Sequence, residues 1–188
     1  MNLLIVVAHP DTEHSHNRYI YEEVKRRMSH VDYKCIDLYE EEFNPVLFQE
    51  DEAQKQRYQD LVAWSTHLVI IYPIWWNGPP AILKGFFDQV IEADFAFKFD
   101  PTPFPKVGWP RGFLNGRRAA VLTTSGSPTW MHYLYQRRRG IKNVTKDTLS
   151  YCGVTTKNFH LGGAQRLDET NKHKIKRMVT DSIQWLTS

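Results

Sequence analysis

Two adjacent tryptophans, Trp75 and Trp76, stand between an apolar run and a Pro-Pro pair in the segment YPIWWNGPPAILKGFFDQV, Tyr72–Val90. Neighbouring indoles between a strand end and a helix start cannot both face the core. A flat aromatic ligand uses such a wall, and Asn77, Gly78 and nearby backbone amides can read its polar edge. A hydrophobic plug or a subunit contact also uses tryptophan, so the segment alone leaves these readings open. Lys84 reads as a solvated or paired helix residue.

Two further loops carry polar chemistry. HPDTEHSHN, His9 to Asn17, precedes a helical pattern. Amides at a helix start attract anions, and Ser15 and Asn17 are placed to add donors, which makes a phosphate cradle. An ordinary serine cap fits as well. His9, His14 and His16 have no fixed spacing and no cysteine partner, so a metal is not expected. There is no GxGxxG. The third loop is TTSGSP, Thr123 to Pro128. Gly126 allows close backbone approach to a ligand, and Thr124 and Ser125 supply donors. No GxSxG elbow surrounds Ser125 and no His or Asp partner is evident, which speaks against a serine hydrolase.

The elements that must position these loops follow from periodicity. Leu3–Ala8, Tyr33–Tyr39, His67–Tyr72, Arg118–Thr124 and Thr155–Leu161 read as five strands. Helical patterns cover Asn17–Met28, Asp51–Ser65, the stretch from Pro79-Pro80 through Ile91, and Asp168–Leu186. A further helix is expected over Tyr133–Tyr151, with a break near Gly140. Phe95–Gly116, rich in proline, reads as a long loop. Strands alternating with helices imply an α/β protein, a doubly wound parallel sheet with helices on both faces. Order 2-1-3-4-5 is the flavodoxin-like arrangement, with ligands at the carboxyl ends of the strands near the switch point. The loops after strands one, three and four are therefore the chemical ones.

The totals narrow the class. With 188 residues, 41% hydrophobic and 24% charged, the chain reads as one soluble globular domain, residues 1–188. A net charge of +3 without a basic, aromatic-interleaved repeat gives no sign of nucleic acid. Cys35 and Cys152 suggest no disulfide framework, and a reducing cytoplasm is expected. No run approaches a membrane span, so no membrane insertion is expected.

The matching pieces, taken in order, resemble the NAD(P)H:quinone oxidoreductase family of flavodoxin-fold flavoproteins. They are AHP with a later Ser-x-Asn at 8–17, DLY at 37–39, YPIWWNGPPAILKGFFD at 72–88, DFAF at 94–97 and TTSGS at 123–127. The resemblance spans nearly the whole chain, and the tryptophan-bearing block is its most specific part. It implies a bound flavin, FAD or FMN, a homodimer with the site near the subunit interface, and NAD(P)H as co-substrate. His9, Ser15 and Asn17 match the loop that holds the flavin phosphate. Pro73, Ile74, Trp75, Trp76 and Asn77 match the segment beside the isoalloxazine ring. Thr123, Thr124, Ser125 and Gly126 match the second ring-binding loop. The family's pattern is Thr-Thr-Gly-Gly where this chain has Ser125. A family Tyr and His that assist hydride transfer fall near His132 and Tyr133 here, in shifted register.

The activity implied is a two-step hydride exchange from NAD(P)H through flavin to a small-molecule acceptor such as a quinone. The short segment between strands two and three points to FMN, with FAD left open. An alternative is a flavin-binding regulatory subunit of a membrane transport system, in which Arg137, Arg138, Arg139 and Lys142 would make the contact. An electron-carrier flavodoxin fits less well, because such carriers are strongly acidic and this chain has a pI near 8.8.

Overall fold

The first apolar run forms strand β1 (Asn2–Val7), and Leu3 through Ala8 are all buried. A strand with no polar face needs cover on both sides. The computed structural model, which describes residues 1–49, 51–101 and 108–188, supplies that cover. The following elements are α1 (His16–Arg27), β2 (Asp32–Asp37), α2 (Glu52–Trp64), β3 (His67–Pro73), α3 (Ala81–Val90), β4 (Phe97–Pro101) and β5 (Gly108–Gly112). Then come β6 (Arg118–Ser125), α4 (Thr129–Leu134), α5 (Arg139–Val144), a π-helical turn (Thr145–Ser150), β7 (Thr155–Gly162) and α6 (Glu169–Thr187).

Five strands form one parallel sheet in the order β2-β1-β3-β6-β7. This is the expected 2-1-3-4-5 order, with β6 and β7 in the fourth and fifth places. Alternate side chains feed two cores. Leu4, Val6, Ile70 and Val121 pack with Tyr58 of α2 and Leu83 and Phe86 of α3. Leu3, Ile5, Val69 and Ile71 pack with Ile20 and Val24 of α1 and Ile175 and Val179 of α6. Each such side chain contributes about 1.5–3 kcal/mol on burial. From β1 the chain crosses to β2 on one side, and from β3 it crosses to β6 on the other. The strand ends at that divergence open a crevice.

Two expected elements are corrected. Phe95–Gly116 is not a plain loop: β4 and β5 pair antiparallel, from Phe97 opposite Gly112 to Pro101 opposite Gly108. Residues 102–107 of that segment lie outside the described residues. A two-stranded ribbon leaves each strand one free edge, where proline costs no ladder bond. The ribbon is anchored by Phe97 against Tyr151, ring centroids 5.2 Å apart.

The helix expected over Tyr133–Tyr151 starts earlier, at Thr129, and is interrupted at Arg137 and Arg138, both left-handed with φ of 52° and 55°. Gly140 lies inside α5 instead of breaking it. A Cβ there would fall 2.8 Å from Ile74 Cγ2 and 3.2 Å from Asn77 C, and the Tyr72 hydroxyl donates to the Gly140 carbonyl at 2.9 Å. The glycine permits this close approach. Among the described residues, no helix is long and apolar enough to cross a membrane.

Candidate active site

The loop after β1 is built by local hydrogen bonds. Asp11 Oδ1 accepts from the amides of Glu13 and His14 at 3.0 and 2.8 Å. The Ser15 hydroxyl donates to Asp11 O at 2.9 Å and accepts from the Arg18 amide at 3.0 Å, which makes it the N-cap of α1. The amides of His16 and Asn17 precede the first intrahelical bond and lie at the positive end of the helix. The Asp11 amide donates to His9 Nδ1 at 3.0 Å. Burial lowers the His9 pKa below its usual value, so the ring is a neutral imidazole at pH 7. It lies 5.9 Å from the Trp75 ring.

Asn17 joins this loop to the others. It is buried, its Nδ2 donates to Thr124 Oγ1 at 3.1 Å, and its Oδ1 is buried without a partner. The Ile74 amide donates to the Thr124 carbonyl at 2.7 Å, so the start of α1 and the ends of β3 and β6 meet at Thr124. Beyond Ile74, Trp75 and Gly78 exchange backbone bonds of 3.0 and 2.9 Å across a tight turn. The central residues Trp76 and Asn77 have φ of 48° and 62°, as a type I′ turn requires. Asparagine suits this region, but a tryptophan there costs about 1–2 kcal/mol, and the Trp76 side chain is fully exposed. Backbone strain that presents an apolar side chain to solvent points to function.

These loops enclose a cavity of about 120 Å³ lined by His9, Ser15, Asn17, Pro73, Ile74, Trp75, Thr124, Ser125 and Gly126, with His16 and Ala164. The space is the floor of an open crevice with Trp75 on its wall, and the fully exposed Trp76 lines neither this cavity nor the one beside it. Asn77 lines a neighbouring, larger cavity. Thr123 is buried behind the floor.

Behind Ser125 stands His160, a residue of β7 that no local motif marks. Ser125 does have a histidine partner: His160 Nε2 lies 3.1 Å from Ser125 Oγ, and His160 Nδ1 lies 2.9 Å from Thr123 Oγ1. The Ser125 hydroxyl donates to the Ser127 carbonyl at 3.0 Å. One proton assignment satisfies all three contacts, with His160 Nε2–H donating to Ser125 and Thr123 donating to Nδ1. The serine proton is then engaged by a carbonyl, unlike that of an activated nucleophile. Burial, reinforced by the nearby His132, lowers the His160 pKa to about 4. His160 was hidden because only the β6–β7 register, which pairs it with Thr123, brings it to the site. His16, one of the three histidines of the first loop, also lines the floor, without metal-binding partners among the described residues.

His132 and Tyr133 do not line the floor. His132 is fully buried and stacks on His160 with ring centroids 4.4 Å apart. Its Nδ1 lies 3.0 Å from Gln136 Oε1, and its Nε2 is buried without a partner. Tyr133 is partly exposed, and its hydroxyl accepts from Asn158 Nδ2 at 3.2 Å. Both therefore back onto the Ser125 loop through β7.

The residues present fit a flavin phosphate and ring. The unpartnered Asn17 Oδ1 calls for a donor, which the hydroxyls of a flavin's ribityl chain bring and its phosphate does not, and a Cβ on Gly126 would meet no atom within 4 Å, which leaves space for a ring to approach the backbone. Among the described residues, no three His, Cys, Asp or Glu side chains gather as a metal site.

Comparison with known proteins agrees with this geometry. The family model described as Flavodoxin-like fold matches residues 1–186. An uncharacterized NAD(P)H oxidoreductase of Haemophilus influenzae is 28% identical over 202 residues, covering 100% of this chain and 97% of that protein. An FMN-dependent NADH:quinone oxidoreductase of Jannaschia is 28% identical over 116 residues, covering 62% of this chain and 56% of its own length. The crystal structure of Smu.1420 from Streptococcus mutans superposes with a TM-score of 0.85 at 32% identity, covering 98% of this chain and 100% of that one.

Proposed function

We propose, for a chain that belongs to the Flavodoxin-like fold family over residues 1–186, that it is a flavin-dependent oxidoreductase carrying reducing equivalents from NAD(P)H to a quinone or related small acceptor. The carrying observation is the crevice at the ends of β1, β3 and β6, with Asn17 buried at its floor and an unpartnered Oδ1 there. The names of the Haemophilus and Jannaschia relatives support the same chemistry.

A flavin, when bound, would supply the hydride-transfer reactivity between nicotinamide and acceptor. The chain supplies position. The amides at the start of α1 hold the phosphate, in a loop that Ser15 shapes by capping the helix and that Asn17 ties to Thr124. The backbone of Ile74–Asn77 and of Thr124–Gly126 borders the ring. Trp75 walls the crevice, and the exposed Trp76 beside it would cover a bound ring and exclude water. The strand-end amides are donors for charge that would develop at the ring edge, and Ser125, whose hydroxyl proton is held by the Ser127 carbonyl and which accepts from His160, fixes the loop that presents them. His132 and Tyr133 act through His160, as positioning residues.

FMN is the form favoured, because only a short segment separates β2 from β3. Trp130, Leu134 and Tyr135 are exposed on and after α4, next to the Ser125 loop, and a second copy of the chain would cover them. The transporter-subunit reading drew on Arg137, Arg138, Arg139 and Lys142. No observation favours it, and three of those four line a cavity of this chain.

The test is the absorption spectrum of the purified protein, with the mass of the chromophore released on heating. Flavin bands and the FMN mass support the proposal. A colourless protein that gains no chromophore from added FMN or FAD contradicts it.

A further inference from the structure

Beside the flavin crevice, and sharing the turn that holds Asn77, lies a second cavity of about 510 Å³. Its size is that of a small-molecule site. Lys84, Arg137, Arg139 and Lys142 line it, against a single acid, Asp147. Lys84 is neutralised by Asp88. Arg137, Arg139 and Lys142 form no ion pair among the described residues. Arg138, which does not line the cavity, lies over the Tyr133 ring at 5.2 Å. Three uncompensated cations around one concavity repel one another and attract an anion.

A second, independent feature narrows the anion's chemistry. Asn77 and Asn143 both line this cavity, and the Oδ1 of each is buried without a hydrogen-bond partner. An unsatisfied buried acceptor is costly and calls for a donor. A bare anion brings none. A ligand that joins an anionic group to hydroxyl or amide donors satisfies both sets, and a phosphorylated ribose does so. The walls are held in place at some expense. Trp76–Asn77 and Arg137–Arg138 are consecutive left-handed pairs without glycine, and Asn77 Nδ2 reaches the Gln136 carbonyl at 3.5 Å between them. Strain of this kind persists where the surroundings over-determine it.

We propose that this cavity binds the phosphate-bearing ribose of the reduced dinucleotide, with Arg137, Arg139 and Lys142 on the phosphate and Asn77 and Asn143 accepting from the sugar. This rests on the oxidoreductase reading above and adds a recognition site to it.

The test uses the flavin-loaded full chain. NADP+ and NAD+ serve as non-reducing probes, with binding followed by calorimetry. The variants are R137Q/R139Q/K142Q, Asn143→Leu, and a control of equal charge loss on α6, K172Q/K174Q/K176Q. The expected result is an NADP+ dissociation constant raised about tenfold or more in the first triple variant, the scale of one lost charge-assisted hydrogen bond, with a smaller rise in Asn143→Leu. Flavin content and the KM for an uncharged quinone stay at parent values, and the control binds like the parent. Unchanged dinucleotide binding in the first triple variant overturns the proposal. An equal loss in the control also overturns it, by assigning the effect to the general field. If only a sulfonated quinone loses affinity, the cavity belongs to the acceptor. If FAD but not FMN affinity falls, it belongs to the cofactor. A parent protein that oxidises no NAD(P)H defeats the underlying reading instead, and that failure is visible before any variant is made.

Discussion

Asn17 Nδ2 donates to Thr124 Oγ1 at 3.1 Å across a sequence separation of 107 residues. The bond locks the start of α1 to the end of β6, so the loop proposed to hold the phosphate and the loop proposed to border the ring are tied together. Asn17→Ala removes the bond and the free Oδ1 together. Ser15→Ala removes the α1 cap, which costs about 1 kcal/mol of stability. We expect the double variant to fold, to melt a few degrees lower and to retain less flavin after gel filtration. Parent-level flavin content would place the phosphate elsewhere.

Gly126 separates a structural from a ligand-related role. A methyl group there meets nothing within 4 Å in the protein, so Gly126→Ala should keep the stability of the flavin-free protein within about 0.5 kcal/mol. If the ring lies against this backbone, flavin affinity should drop. Titration of the flavin-free variant with FMN reads the result, and equal affinity would move the ring away from the β6 loop.

Trp76 gives the opposite pairing of stability and function. Its side chain is exposed and its backbone is left-handed. Trp76→Gly relieves about 1–2 kcal/mol of backbone strain and gives back about 0.5–1 kcal/mol in chain entropy. Thermal unfolding should show unchanged or slightly raised stability, while the KM for quinone rises. A clear loss of stability would mean that the indole packs structurally, on a second subunit for instance.

His160 sets a pH signature. Its pKa is lowered to about 4 in the fold from an ordinary 6.5, so between those values the unfolded chain binds the extra proton. The contribution of neutral His160 is complete above about pH 6.5 and is lost as pH falls toward 4. The difference amounts to about 2–3 kcal/mol. Denaturant unfolding of parent and His160→Gln, each at pH 7.5 and pH 4, should show the parent losing more by that amount. Parallel losses would remove His160 as the cause.

The exposed apolar side chains of α4 predict self-association. Sedimentation of the parent at micromolar concentration should give about twice the 22.1 kDa chain mass, and Leu134→Lys with Tyr135→Lys should shift the protein toward monomer. A monomeric parent would leave the apolar surface of α4 without an occupant.

The strands and the sheet order were legible because β1, β3 and β6 each carry a central run with no polar face, and a parallel sheet covered on both faces leaves few arrangements. The loops were legible for the same reason, since the order names the strand ends where ligands bind. The β4–β5 ribbon was hidden by its prolines, although Phe95, Phe97 and Phe99 recur at the strand period. The α4–α5 break was misplaced because glycine usually marks a break. Here two arginines take the left-handed positions, and Gly140 is needed for contact with Ile74 and Asn77. His160 and the cationic cavity depend on register and tertiary packing, which no local pattern carries.

The central claim, that this chain passes hydride from NAD(P)H through flavin to a small acceptor, is tested most directly by anaerobic rapid mixing of the flavin-loaded protein. NADPH or NADH should bleach the flavin absorption in a single turnover, and a second mix with menadione should restore it. Flavin absorption that persists with both nucleotides, or that bleaches and does not recover with quinone, would contradict the account.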